Sequence, residues 1–320
     1  MVLARFVARR LLITLLTLVA ISIVVFLLVQ VLPGDVARLR VGQFATPQEV
    51  AIARKQLGLD RPLVVRYGEW ARGFLSGDWG ESWRLQTPVA PLVGRHVRDS
   101  AILALIAFAV VVPVSLVGGI AAALRRGRLL DRVLTTGGMF GIAIPEFVSS
   151  MFLILVFSLW LPIFPSSSTV PSGTPLLDRV KYFVLPVAAL TFVLFGYISR
   201  MVRASVVEEL RSSYVRTAVL KGLSRRTVVA KHVLRNGLLP SITVVANQVS
   251  WLVGGLVVVE NVFNYPGVGQ LLLQSALSKD IPLLEVTVLI IAAVLMLSNL
   301  AADVLYGFVN PRVRIQAASP

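Results

Sequence analysis

The sequence has 320 residues, and its composition of 56% hydrophobic and 15% charged residues, with a mean hydropathy of +0.82, excludes an ordinary soluble domain and predicts a chain lying largely in lipid. The net charge of +15 does not indicate nucleic-acid binding, because no basic run is interleaved with stacking aromatic residues and the basic residues cluster at the ends of apolar segments. The lack of cysteine excludes disulfides, thiolate catalysis and cysteine-ligated metal sites.

The first apolar run covers residues 11–32 and follows Arg5, Arg9 and Arg10, a pattern that also begins secretory signal peptides. Its 22 residues are too many for a signal sequence and can cross a hydrocarbon core about 30 Å thick. The Leu32-Pro33-Gly34-Asp35 sequence that follows has no small-residue cleavage pattern. We therefore predict a retained first membrane span in segment 1–32.

Segment 33–99 is predicted to be an external segment with helices of its own. Thr46-Pro47-Gln48-Glu49 has the form of a capping box with proline in the first turn. One apolar stripe follows at helical spacing, formed by Leu63, Tyr67, Trp70 and Phe74. We expect these aromatic residues to pack against other helices or to lie at the membrane interface rather than to contact substrate.

Five further segments within residues 100–320 are long and apolar enough to cross a membrane: 101–124, 133–161, 182–199, 237–259 and 284–309. Each should be helical, because no water satisfies backbone amides inside lipid, and the prolines within them are expected to act as kinks or helix starts. The predicted fold class is therefore an all-α integral membrane protein with six transmembrane helices.

Orientation is predicted from the lysine and arginine counts of the short connections. Segments 125–132 and 200–236 hold four and nine basic residues, whereas segments 162–182 and 261–283 on the opposite side hold two and one. The basic side is predicted to be cytoplasmic, with both termini inside. Segment 33–99 also carries many arginines, but a segment of that length is translocated largely regardless of charge.

The loop of residues 203–236 between the fourth and fifth spans predicts two short helices with a sharp turn. Helix-favouring sequence continues to Lys221, Gly222 can adopt the left-handed conformation that ends a helix, and Ser224 can cap the next one. The loop has apolar residues that we expect to be exposed as a docking surface for a partner: Tyr214, Val215, Ala218, Val219 and Leu223. Considered alone, the loop would sooner be interpreted as a solvated basic connector.

This loop resembles the signature of the membrane subunits of ABC importers, in which Glu-Ala-Ala is followed by three residues and glycine. Arg216-Thr217-Ala218, three residues and Gly222 occupy those places, so that only the last alanine and the glycine match. The segment from Tyr214 to Ser224 and the Arg235-Asn236-Gly237-Leu238-Leu239-Pro240 sequence are similar to the dipeptide, oligopeptide and nickel subclass. Within that subclass the chain resembles the first, DppB/OppB-like, permease.

Further similarities to this subclass extend over almost the whole chain. They comprise the Leu32–Asp35 sequence, Leu57-Gly58-Leu59-Asp60-Arg61-Pro62, Gly77-Asp78-Trp79-Gly80-Glu81-Ser82, residues 260–269, and Asn299, Asp303 and Tyr306 before Asn310-Pro311-Arg312. The chain departs from the family at Val36, where proline is usual, and at Asn310, where aspartate is usual. Neither departure lies in the 203–236 loop.

The resemblance implies the permease subunit of an ATP-driven, binding-protein-dependent importer, with di- or oligopeptides as the favoured substrates. Relatives of the subclass also transport nickel chelates, glutathione or oligosaccharides. The chain lacks a Gly-x-x-x-x-Gly-Lys-Ser/Thr phosphate-binding motif, so we expect ATP and Mg on partner ATPase subunits and no cofactor or metal on this chain. We name residues 203–236 the coupling loop, and the residues implied to contact the ATPase are Tyr214, Val215, Arg216, Ala218, Val219, Lys221, Gly222 and Leu223.

The resemblance also implies the partners and the location. A second homologous permease, two ABC ATPase subunits and an extracytoplasmic binding protein are expected in a bacterial or archaeal cytoplasmic membrane. The binding protein is expected to touch segment 33–99 and the loop that contains Tyr265, Pro266, Gly267 and Gly269.

Polar residues within the predicted spans are candidates for the translocation path, because an ionised group in a membrane is costly and often functional. Glu146 is a path or gate candidate, with packing, a contact to the second permease or a misplaced span boundary as alternatives. Asn247 and Gln248 indicate an interior helix face, and Glu260 is either a gate or a loop anchor. Asp303 is expected to belong to a local hydrogen-bonded cluster.

Two other classes of membrane protein explain the sequence less well. A membrane-embedded enzyme would need a catalytic constellation, but the two histidines fall on opposite sides and no His-Glu-x-x-His motif is present. An ion-coupled secondary transporter normally has several buried ionisable residues and inverted repeats. A purely structural subunit is not excluded by the residues, and co-purification of a separate ATPase distinguishes the permease from all three.

Overall fold

The structure, a computed structural model, describes residues 2–31, 36–42, 44–171 and 173–309. Within these ranges the regular structure is helical, as predicted, with a single isolated bridge between Glu81 and Pro88. The α-helices are α1 (Val2–Val31), α2 (Val36–Val41), α3 (Pro47–Gln56), α4 (Leu63–Ser76), α5 (Val89–Leu124), α6 (Leu129–Ala143), α7 (Glu146–Ile154), α8 (Leu176–Glu209), α9 (Ser213–Leu220), α10 (Arg225–Thr227), α11 (Leu234–Gly237), α12 (Leu239–Val262), α13 (Val268–Ser278) and α14 (Ile281–Val309). Two π-helical segments, Leu155–Trp160 and Val228–Val233, continue α7 and α10.

Five of the described helices, α1, α5, α8, α12 and α14, are long and apolar enough to cross a membrane. A sixth crossing exists if α6 is combined with α7 and its π-helical continuation, although these two parts are bent by 108°. Helix α8 has 34 residues and extends well beyond the predicted span at both ends. The hydropathy of the sequence therefore located the candidate spans. The ends of the helices depend on packing contacts with other parts of the chain, which hydropathy does not measure.

Residues 133–161, predicted as one span, form two helices, with Pro145 at a helix start as expected of such prolines. Ile144 has an extended backbone (φ −89°, ψ 125°), so α6 ends at Ala143 and α7 begins after Pro145. The ring of a proline disfavours helical dihedrals in the residue before it, which explains why the chain breaks at this point. Pro113 and Pro186, by contrast, lie inside the continuous helices α5 and α8.

The chain divides into two compact units, the first comprising residues 1–8, 100–266 and 298–320 and the second residues 9–99 and 267–297. In the first unit α6, α7 and α12 pack on α8, whose inward face is buried along most of its length. Gly138 of α6 and Gly196 of α8 lie so close that a Cβ on either would contact the backbone of the other helix. The absence of side chains at these positions allows the helices to approach.

The second unit contains two small apolar cores. One is formed by Val89, Val93, Leu271, Leu283 and Val286, and the other by Ala37, Val50 and Ala53.

The predicted capping box of α3 is present. The backbone N–H of Thr46 donates to Glu49 Oε2 (2.7 Å), and the Glu49 N–H donates to Thr46 Oγ1 (3.3 Å). These hydrogen bonds, the one from the Thr46 backbone above all, lower the pKa of Glu49.

The aromatic residues of the predicted α4 stripe pack against α1 and against one another, whereas Leu63 of the same stripe is 47% exposed. The rings of Tyr67 and Trp70 each lie 5.6 Å from that of Phe26 on α1, and Trp70 stacks on Phe74 at 6.1 Å. The Tyr67 hydroxyl is 2.8 Å from Ser22 Oγ. These contacts agree with the expectation that the aromatic residues pack against other helices.

Candidate coupling loop and transport path

The backbone of the coupling loop has the helix–turn–helix form predicted from its sequence. Helix α8 ends at Glu209, and after a short turn the eight-residue helix α9 runs from Ser213 to Leu220. Gly222 then adopts φ +78°, and the side chain of Ser224 accepts a hydrogen bond from the backbone N–H of Thr227 at 3.3 Å. A left-handed glycine and a serine cap are the local signals that end one helix and begin the next.

One face of α9 is buried, which corrects part of the predicted docking surface. Val215 and Ala218 are only 4% and 7% exposed and belong to the hydrophobic core of the first unit, together with Val228 and Val233 from the second half of the loop. Residues three apart share a face of a helix, so these two side chains anchor α9 and are not available to a partner.

The C-terminal end of α9 and the turn that follows it carry an exposed apolar surface. Val219, Leu220 and Leu223 are 57%, 81% and 41% exposed, and Arg216 and Lys221 beside them are also exposed. Leu220 is absent from the residues predicted from the sequence, yet it is the most exposed large apolar side chain of the loop. The sequence does contain a signal for this exposure, because Leu220 follows Ala218 by two residues and therefore points to the other side of the short helix.

The hydroxyl of Tyr214 fixes α9 to the helices on both sides of it. It donates to the carboxylate of Glu209 at the end of α8 and lies 3.3 Å from the carbonyl oxygen of His232. The side-chain amide of Asn236 in α11 donates to the same hydroxyl at 3.0 Å. Tyr214 is 38% exposed, and these contacts assign its hydroxyl to the internal structure of the loop.

A cavity of about 830 Å³ lies where α7, α8 and α12 meet, and Glu146 and Asn247 both line it. Glu146 is the first residue of α7, so the break before this helix places its carboxylate at the cavity wall. A Cβ at Gly255 of α12 would lie 2.8 Å from Glu146 Oε1, which shows that this glycine leaves the space that the carboxylate occupies. Two predicted path residues therefore share one cavity.

The wall of this cavity also contains residues that the sequence did not single out as path candidates. The rings of Tyr197 and Trp251 lie 6.1 Å apart, and the hydroxyl of Ser250 donates to Asn299 Oδ1 at 2.7 Å. The lining is largely apolar and carries aromatic rings, a few polar side chains and one acidic group.

The other two path candidates lie elsewhere. Gln248 does not line the cavity, and its buried Oε1 has no hydrogen-bond partner among the described residues. Glu260 is fully buried near the end of α12, where Ser100 donates to its carboxylate at 2.5 Å and the N–H of Tyr265 donates to its carbonyl oxygen at 2.8 Å. Of its two predicted roles, these contacts favour the loop anchor over the gate.

Most of the loop after α12 that was predicted to meet the binding protein is buried. Tyr265 is 4% exposed and packs edge-on against Phe183 with the ring centroids 5.9 Å apart, and Gly267 and Gly269 are buried as well. Pro266 is half-buried. The Tyr265 side chain is therefore not exposed to a partner, and contact of this loop with a binding protein stays a prediction.

Some of the residues quoted from the sequence cannot be placed. The Leu32-Pro33-Gly34-Asp35 sequence and Asn310-Pro311-Arg312 lie outside the described residues, as does the side chain of Tyr306. Asp303 lies in α14 and is half-buried.

An ion pair links α6 to α8 close to the coupling loop. Arg203 donates through Nε to Asp131 Oδ1 at 2.6 Å and through Nη2 to Oδ2 at 2.8 Å, and the backbone N–H of Gly127 donates to the same carboxylate at 2.8 Å. A bidentate arginine–carboxylate pair fixes both distance and orientation. Sequence reasoning missed this pair because the partners are 72 residues apart.

Two family models together match nearly the whole chain. Residues 115–315 match the binding-protein-dependent transport system inner membrane component, and residues 3–116 match the N-terminal part of such membrane components. The chain therefore belongs to the family of binding-protein-dependent transport system inner membrane components, which are ABC permease subunits.

Named relatives agree with this assignment over almost their full lengths. The chain is 38% identical to the glutathione transport system permease protein GsiC of Shigella flexneri over 97% of this chain and 98% of that protein. It is 36% identical to a Brucella abortus protein provisionally named as a peptide transport system permease, over 92% of this chain and 94% of that protein. A solved amino acid ABC transporter, crystallised with histidines, matches with a TM-score of 0.50 at 14% identity, covering 69% of this chain and 94% of its own, which supports the fold alone.

Family membership establishes the general role of the chain. It is a multi-pass inner-membrane permease subunit that has no ATPase activity and binds no cofactor itself. Such a component works with an ATPase and with a substrate-binding protein. The prediction of an ABC permease, in preference to an ion-coupled transporter or an enzyme, is confirmed.

Proposed function

We propose that this permease imports short peptides, from dipeptides to oligopeptides, with glutathione within the same chemical class. Support comes from relatives named for peptide and glutathione transport that align over more than nine-tenths of this chain. The cavity at Glu146 is chemically suited to such a substrate. It combines a carboxylate, an amide and aromatic rings, which can bind the charged amino terminus and the amide groups of a peptide as it passes.

We infer an orientation with both termini and the coupling loop on the cytoplasmic side. The support is the distribution of basic residues, with four and nine in segments 125–132 and 200–236 against two and one in segments 162–182 and 261–283. In this orientation segment 33–99 is external and meets the binding protein.

The coupling loop is the surface on which the ATPase subunit docks. Its apolar end is formed by Val219, Leu220 and Leu223 with Arg216 and Lys221 beside it, and the residues that the structure describes leave this end exposed. Val215 and Ala218 contribute indirectly, because their burial holds α9 against the core and makes it move with the body of the protein. Tyr214 and Gly222 set the position and the turn of α9.

Movement of the coupling loop reaches the transport path through α8. This helix ends at Glu209 beside α9, is joined to α6 by the Arg203–Asp131 ion pair, and forms one wall of the Glu146 cavity. A homologous second permease completes the path, and a second ATPase subunit pairs with the first. A displacement of α9 by the closing ATPases would then alter the cavity that α7, α8 and α12 enclose.

The observation that carries this proposal is the exposed apolar end of α9 on an anchored helix–turn–helix. The test is uptake by the complete importer in proteoliposomes, with ATP in the lumen, binding protein outside, and labelled dipeptide, oligopeptide or glutathione as substrate. Uptake is expected to require both ATP and the binding protein, and a vesicle whose ATPase subunits cannot hydrolyse ATP is the control. Uptake driven by an ion gradient without the ATPase would contradict the proposal.

A further inference from the structure

Four arginines, two of them from the coupling loop, converge on one cavity. The cavity has a volume of about 680 Å³, and the arginines that line it are Arg125 and Arg128, from the connection between α5 and α6, and Arg225 and Arg226, from the start of α10. The rest of its wall is apolar and consists of Leu124, Val229 and Ala230. The cavity therefore combines four positive charges with a hydrophobic side.

No carboxylate of the described chain neutralises these four side chains. None of them forms an ion pair among the described residues, and Asp131, the acidic residue in the first turn of α6, is already paired with Arg203. Like charges drawn into one cavity repel one another, so an anion that enters it is attracted by all four. Arginine is also the side chain best shaped to bind a phosphate through two parallel N–H groups.

The depth of the cavity in the membrane follows from the helices that flank it. Leu124 is the last residue of the apolar helix α5, and α6 begins only five residues later, at Leu129. The predicted spans end at residue 124 and begin again at residue 133, and a connection of eight residues stays near the lipid–water boundary, so Arg125 and Arg128 lie close to the level of the lipid headgroups whichever side they face. Arg225 and Arg226 line the same cavity and share this level.

We propose that this cavity is a binding site for the phosphate headgroup of an anionic phospholipid, with the arginines on the phosphate and the apolar wall against the glycerol and the first methylenes of the acyl chains. A free phosphate ion would use only the arginines, whereas the Leu124, Val229 and Ala230 wall matches the apolar part of a lipid. A bound lipid would hold α10, the second helix of the coupling loop, at the membrane surface. The coupling between the ATPase and the transport path would then depend on the lipid composition of the membrane.

The test uses the complete importer, purified in detergent and titrated with phosphatidylglycerol, with retained lipid counted by native mass spectrometry. Each arginine near a lipid surface contributes about 1 kcal/mol, or about fivefold in affinity, so the Arg125→Gln/Arg128→Gln variant is expected to bind about thirtyfold more weakly. The Arg225→Gln/Arg226→Gln variant, altered on the other wall, should lose a similar factor. All four side chains are exposed, so the fold is expected to survive.

Two matched variants control for charge in general. Arg126→Gln removes an exposed arginine of the same connection that does not line the cavity, and it should retain the lipid. The Arg125→Lys/Arg128→Lys variant keeps the charges and should retain most of the affinity. An equal loss in Arg126→Gln, or no loss in either double glutamine variant, overturns the proposal.

Two further outcomes would assign the arginines to another ligand and also overturn it. Displacement of phosphatidylglycerol by inorganic phosphate at comparable concentration would identify a simple phosphate site. Unchanged lipid retention with loss of the co-purified ATPase would identify a contact to an acidic surface of that subunit. Neither result would affect the uptake measured for the unmodified importer, so failure of the lipid site is distinguishable from failure of the proposed transport function.

Discussion

Replacing Gly222 separates the geometry of the coupling turn from the chemistry of its surface. Its φ of +78° lies in the left-handed region, and a Cβ added there would meet no heavy atom within 4 Å. The cost of Gly222→Ala is therefore backbone strain alone, about 1–2 kcal/mol, which would lower the population of the observed turn by roughly fivefold to thirtyfold. Gly222→Val should cost more because branching at Cβ restricts the backbone further, and Gly222→Asn less because asparagine tolerates this region.

The assay is ATP-dependent uptake in proteoliposomes, with the amount of co-purified ATPase measured in parallel. Uptake should fall in the order glycine, asparagine, alanine, valine, while insertion into the membrane is unchanged. Gly173→Ala is the matched control, since Gly173 has φ +84° and no heavy atom within 4 Å of an added Cβ, but lies in the connection before α8. Wild-type uptake across the Gly222 series, or an equal loss in Gly173→Ala, would refute the reasoning.

Three further perturbations test other parts of the molecule. Arg203→Gln should lower the free energy of unfolding in detergent by about 3–5 kcal/mol, because it leaves the 5%-exposed Asp131 carboxylate without its ion-pair partner. Asp131→Asn should lower it by less, because the Arg203 guanidinium is 28% exposed and stays partly hydrated. Equal losses in the two variants would contradict this account of the ion pair. Gly255→Ala should reduce uptake because its Cβ would displace the carboxylate of Glu146. Gly137→Ala on α6, outside this cavity and with no heavy atom within 4 Å of the added Cβ, should not, and identical uptake by the two variants would contradict a place for the cavity on the path. Tyr214→Phe removes the hydroxyl and its hydrogen bonds, and it should lower the local stability of α9 by about 1 kcal/mol. The loss should be seen as faster amide hydrogen exchange in α9, and unchanged exchange would exclude the anchoring role of Tyr214.

Local signals in the sequence were sufficient to predict the local structure. The Thr46 and Glu49 capping box, the left-handed Gly222 and the Ser224 cap each depend on groups three or fewer residues apart, so the sequence contains the whole interaction. Apolar length located the spans for the same reason, because the requirement for backbone pairing in lipid acts on each segment separately.

Features that depend on distant contacts could not be predicted in this way. Val215 and Val219 are chemically equivalent in the sequence, and only the packing of α9 on the core buries one and exposes the other. Pro113, Pro145 and Pro186 each interrupt an apolar segment, yet only Pro145 separates two helices. Whether a proline is absorbed or breaks a span depends on the neighbouring helices that pair its backbone groups.

The position of Glu146 illustrates the same limit within the candidate site. The sequence identified an acidic residue inside an apolar segment, which is rare enough to indicate function. It did not indicate that Gly255, more than a hundred residues later, would leave space for that carboxylate or that Asn247 would line the same cavity.

The central claim is that the ATPase docks on the exposed end of α9 on the cytoplasmic side. A single cysteine at Leu220 tests this claim most directly. The chain has no cysteine of its own, so Leu220→Cys gives a unique label at an 81%-exposed position. A membrane-impermeant maleimide should label it in inside-out vesicles stripped of the ATPase, fail to label it in intact cells, and be excluded when the ATPase is added back. Labelling in intact cells, or equal labelling with and without the ATPase, would contradict the account.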